Sequence, residues 1–129
     1  MKRNPTKTIK NKLDKLWSAI IRLKYPTCIV CGKGPTQAHH AIVRRAQSLG
    51  VRWMLNNGIG LCFPCHMFKL HGQQGDKAFL DAYINQLNYL IPEAEQLIIK
   101  QVGHQVNKFS IEDMENLASE FDRILKEGK

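Results

Sequence analysis

No aspartate or glutamate occurs between Asp14 and Asp76. A metal held by that stretch must therefore use thiolates, imidazoles, amide oxygens, backbone and water, unless a carboxylate reaches it from the C-terminal segment. Long apolar runs are also missing. None approaches the roughly 18 residues that a membrane span needs, and no apolar run of signal-peptide length follows the basic start MKRNPTKTIKNK. The expectation is a cytosolic protein with no membrane partner. Core-forming residues are sparse in the middle of the chain, so that segment needs help to fold. Cysteine is scarce too, but its four copies are paired as Cys28-x-x-Cys31 and Cys62-x-x-Cys65.

Among what is present, positive charge stands out. The net charge is +8 over 129 residues, a length that suits one domain. Residues 1–24 hold eight Lys/Arg against one acid, and residues 25–72 hold Lys33, Arg44, Arg45, Arg52 and Lys69 against none. Residues 73–129 hold ten acids against six bases. The cationic part is the part that contains the cysteines and most of the histidines, so it should face a polyanion.

The pattern predicts an α+β chain in three parts. Residues 1–9 read as a basic disordered arm. Residues 10–72 read as a core preceded by a helix, whose Leu13, Leu16, Trp17, Ile20 and Ile21 fall at helical spacing and which stops near Lys24 because Pro26 follows. After a knuckle at Cys28–Pro35, Thr36 to Val43 reads as a strand, residues 44–58 as a loop, Ile59 to Leu61 as a second strand, and Cys62 to His71 as a short helix ended by Gly72. Residues 73–129 read as a helical extension packed on the core: one helix capped by Asp76, one opened by Pro92 and ending near Gly103, and one behind Ser110-x-x-Asp113, a capping-box pattern.

Two C-x-x-C steps in a reducing compartment point to metal rather than disulfide. Four thiolates bind Zn²⁺ tetrahedrally in a closed, structural site, and binding free energy there becomes folding free energy. A mixed site that uses His66 is the alternative ligand set. Between the cysteine pairs lie His39-His40 and Asn57, and directly after the second pair come His66 and then His71. Adjacent strand residues point to opposite faces, so one of His39 and His40 can face the helix and the other a substrate. Two imidazoles converging there would make an open metal site, and a third could be a base.

The order His-His, Asn, Cys-x-x-Cys-His, with flanking cysteine pairs, resembles the HNH (ββα-metal) nuclease family, and AHHAIVRRAQSLGVRWMLNNGIGLCFPCHMFKLHG looks like that family's whole core. The wider layout, with an "IRLK" run in a basic helix before the knuckle, is similar to phage NinG-like recombination nucleases. The resemblance implies a small zinc-stapled, treble-clef-like core and these roles: His40 as general base, His39 and His66 as ligands of a catalytic divalent ion, and Asn57 as the residue that fixes the loop and orients the base. His71 matches a further histidine of zinc-bearing members. Five residues is about 140° around an ordinary helix, so His71 reaches the same metal only if the helix end unwinds.

The implied activity is hydrolysis of DNA phosphodiester bonds by a histidine base and one divalent ion. With imidazoles as ligands, Mn²⁺ or Ni²⁺ should serve better than Mg²⁺. Arg44 or Arg45 can clamp the scissile phosphate with its bidentate fork, and Arg52 and Lys69 are further candidates for contact with nucleic acid. Trp53 reads as buried under the loop and His104 as a surface histidine. The expected partner is DNA, in a bacterial host cell, with a homodimer or a larger phage recombination assembly as the setting. Two other readings explain the charge and the cysteines: a zinc-dependent nucleic-acid-binding module without catalysis, and a recombination factor with a weak nuclease.

Overall fold

The computed structural model describes residues 4–105 and 108–128. The chain is α+β, with one two-stranded antiparallel sheet and a majority of helix. Helix α1 (Pro5–Lys24) opens on Asn4, whose side chain accepts from the amides of Thr6 and Lys7, with Pro5 pre-set for the first turn. Residues 5–9, expected as a disordered arm, are thus its first turns; residues 1–3 of that arm lie outside the described residues. The helix ends before Pro26 and buries Leu13, Trp17, Ile20 and Ile21.

Strand β1 (Thr36–His40) pairs with β2 (Gly58–Cys62), setting His39 opposite Ile59 and His40 opposite Gly58. The first strand is shorter than expected because the backbone leaves the ladder after His40, where Asn57 takes over the hydrogen bonding. The segment read as a loop contains one turn of helix, α2 (Leu49–Arg52), and a 3₁₀ turn at Leu55–Asn57. Sheet and α1 lie in close contact: a Cβ on Gly58 would meet Ile21 and come within 2.8 Å of the Trp17 ring. Only glycine lets the helix sit this low on the strand.

A wide π-helical turn (Pro64–Leu70) follows β2. Helices α3 (Lys77–Leu90), α4 (Glu93–Gly103) and α5 (Ile111–Glu127) complete the chain. Asp76 caps α3 through the Phe79 amide at 2.8 Å, and Ser110 and Asp113 form a reciprocal capping box on α5. Two apolar clusters result. One gathers Val51, Ile59, Leu61, Tyr83 and Ile99 around the cysteines; the other joins α1 to α5 through Leu13, Trp17, Met114 and Phe121. Each fully buried side chain of this size stabilises by about 1.5–3 kcal/mol. Among the described residues no helix is long and apolar enough to cross a membrane.

Candidate metal centres and the histidine cleft

The knuckle and the end of β2 bring four cysteines together. The Sγ atoms of Cys28, Cys31, Cys62 and Cys65 all lie within 4.8 Å of one another, and none is in a disulfide. A tetrahedron with Zn–S bonds of about 2.3 Å has edges of about 3.8 Å, so this cluster can hold a zinc ion. The Val30 amide points at Cys28 Sγ from 3.4 Å. Burial raises the Cys28 pKa, but backbone amides of Cys31, Cys62 and Val30 outweigh it and pull the thiol down to about 7, toward the thiolate that a metal requires. His66 belongs to a different group of ligand atoms, so the mixed Cys/His alternative is not the arrangement found.

That second group consists of His39, His66 and His71, whose ring nitrogens also lie within 4.8 Å of one another. Ring centroids are 5.0 Å apart for His39–His66, 5.1 Å for His39–His71 and 4.6 Å for His66–His71. The helix end does not unwind to bring His71 in. The whole turn is wide instead: its hydrogen bonds run from residue i to i−5, including His71 N–H to the His66 carbonyl at 3.1 Å, so residues five apart stack on one side. Among the described residues no carboxylate joins this cluster.

Gln37, which the sequence reading missed, lies on the same strand face as His39 by the two-residue alternation. Its Oε1 accepts from His66 Nδ1 at 2.8 Å. A carbonyl oxygen can only accept, so His66 carries its proton on Nδ1 and leaves Nε2 free as a ligand. Burial, followed by the neighbouring imidazoles, pushes His39 down to about 3, which keeps it neutral.

His40 points to the other face of β1. Its ring stacks on Trp17, and Nε2 donates to the Arg52 carbonyl at 2.8 Å, leaving Nδ1 unprotonated. Burial holds its pKa below the ordinary histidine range against the upward pull of that carbonyl. Both faces nevertheless open on one cleft of about 420 Å³, lined by Ala38, His39, His40, Arg44, Arg45, Ala46, His66 and His71.

The remaining expected residues divide. Asn57 is wholly buried: Oδ1 accepts from the Ile42 and Val43 amides at 2.8 and 3.1 Å, and Nδ2 donates to the Val43 and Val51 carbonyls. It clamps the turn that leaves His40. Arg52 does not line the cleft; its guanidinium is held by Asp14, with Nε–Oδ1 at 2.8 Å, and its carbonyl serves His40. The same carboxylate takes the Trp53 indole N–H at 2.9 Å and Arg45 at 3.3 Å. Trp53 is buried, as expected, and Lys69 lies over the Phe79 ring outside the cleft. His104 is exposed at the end of α4. Asp14 and Trp17 gave no sequence signal beyond helix and core, because their partners are decades of residues away.

No family model matches the chain, and no match is found among curated proteins or solved structures.

Proposed function

We propose that the protein is a metal-dependent endonuclease of the HNH (ββα-metal) type that hydrolyses DNA phosphodiester bonds. The observation that carries this reading is the convergence of His39, His66 and His71 in one cleft with His40, edged by Arg44 and Arg45. In this reading Cys28, Cys31, Cys62 and Cys65 bind a structural zinc, and the knuckle, both strands and the π-helical turn form a treble-clef-like core. The likeness to phage recombination nucleases further suggests work in the cytoplasm of a bacterial host, as a homodimer or within a larger assembly.

A divalent ion held by His39, His66 and His71 would supply Lewis acidity to the scissile phosphate. Nδ1 of His40 accepts the proton of the attacking water; the Arg52 carbonyl and the Trp17 ring fix its tautomer and plane. Asn57 keeps the following turn rigid. Arg44 and the exposed side of Arg45 meet the phosphate oxygens.

Nicking of supercoiled plasmid in Mn²⁺, Ni²⁺ and Mg²⁺, with native protein and His40→Ala, tests this. The native protein should nick faster in Mn²⁺ or Ni²⁺ than in Mg²⁺, whose equal or better performance would remove the metal assignment. His40→Ala should be slower by about 10²–10⁴-fold, with zinc content and DNA binding kept. DNA binding without nicking in any ion would leave a zinc-held binding module.

A further inference from the structure

The cleft does not end at His40. A second hollow, of about 220 Å³, is lined by Asp14, Trp17, Ser18, Ala38, His40 and Arg45. It shares Ala38, His40 and Arg45 with the histidine cleft. A continuous groove therefore runs from the three imidazoles, over the candidate base, to the flank of α1.

At 3.6 residues per turn, Lys7, Asn11, Lys15, Ser18 and Arg22 fall within about 80° of helical arc. Ser18 is both a wall of the second hollow and a member of this ridge. The ridge meets the groove at Ser18, and Lys12, about 60° of arc beyond Lys15, pairs with Asp122 of α5. Lys7, Asn11, Lys15 and Arg22 are exposed. Among the described residues no carboxylate is within ion-pair distance of Lys7, Lys15 or Arg22. Asp14, about 20° of helical arc from Lys7, is already engaged by Arg52 and Arg45. The ridge is about 22 Å long at 1.5 Å per residue, about the rise of six base pairs along a duplex axis at 3.4 Å each.

We propose that this ridge of α1 is a phosphate-tracking strip that carries duplex DNA out of the histidine cleft, with Lys7, Lys15 and Arg22 as its cations. The assignment rests on the endonuclease reading for the cleft it leads from. It makes the DNA footprint one-sided, extending from the cut toward α1 and not toward the acidic α5.

The test is fluorescence anisotropy on a short random-sequence duplex across a salt series, without added divalent ion or chelator. Two charge-matched triple variants are compared: Lys7→Gln/Lys15→Gln/Arg22→Gln on the ridge, and Lys77→Gln/Lys100→Gln/Lys126→Gln on the other helices. Each lost phosphate contact lowers the slope of log K against log salt by about 0.9, so the ridge variant should lose about 2–3 from its slope and bind at least tenfold more weakly. The control should stay within twofold of the native protein. Lys15→Gln alone should remove about one from the slope, which preserves the test if the triple folds poorly. Equal losses in both triples, or unchanged slopes in Lys15→Gln and the ridge triple, would overturn the strip. A slope difference without nicking would remove the nuclease and keep the strip; nicking with equal slopes would do the reverse.

Discussion

The imidazole of His40 lies flat on the indole of Trp17, with ring centroids 3.9 Å apart and planes 10° from parallel. The indole is itself held, because its N–H donates to the Met54 carbonyl at 3.0 Å. Trp17→Phe keeps an aromatic face but loses that bond, and should lower stability by about 1–3 kcal/mol. Trp17→Ala should cost about 3–5 kcal/mol. Thermal melts measure both. Nicking at a temperature where both variants are folded should fall more for Ala than for Phe; equal loss would mean that the ring does not plane the base.

Gln37 predicts a separable effect on the imidazole cluster. Gln37→Ala frees the His66 tautomer and should weaken divalent-ion binding by about 10–100-fold. Gln37→Glu should restore it, since a carboxylate accepts the same proton. Titration with Co²⁺, read in the visible spectrum, distinguishes this site from the thiolate site by its bands. Unchanged affinity in Gln37→Ala would remove Gln37 from the site.

Zinc at the cysteine cluster should behave as part of the fold. Cys62→Ser should purify with substoichiometric zinc and lose its cooperative melt, and a strong chelator should do the same to the native chain. A chelated protein that kept its native circular dichroism and melting temperature would show the cluster to be dispensable.

Acid should expose the role of Asp14. Burial raises its pKa, but hydrogen bonds from Arg52 and Trp53 outweigh that and hold the carboxyl below its ordinary 3.8. A depressed folded-state pKa contributes stability above the unfolded value and loses it as pH falls through the folded one. The stability gap between native protein and Asp14→Asn should therefore be level above about pH 5 and narrow below about pH 4. A gap that persists unchanged to pH 2 would show that the carboxylate's charge contributes nothing.

Local signals in the sequence were sufficient wherever a residue's role depends on near neighbours. Pro26 marks the end of α1, Asp76 and Ser110 mark helix starts, and the cysteine spacing marks the thiolate cluster. Asn57 was legible as a loop-fixing residue, but its complete burial was not. What escaped were relations across the chain. Asp14 meets Arg52 and Trp53 only after α1 has packed on the sheet, and Gln37 meets His66 only once β1 and the π-helical turn are side by side. Arg52 reads as a cation free for nucleic acid because sequence cannot show that Asp14, 38 residues earlier, already holds it. The arm at residues 5–9 looked disordered by composition, whereas Asn4 and Pro5 supply a helix start that composition ignores.

The wide turn at Pro64–Leu70 ties the pitch of the backbone to the number of residues between two of its histidines. Shortening that interval by a single residue would put the pair four apart, where an ordinary α-helix already superimposes them. Lengthening it by one would satisfy neither pitch. The segment should therefore tolerate a deletion far better than an insertion.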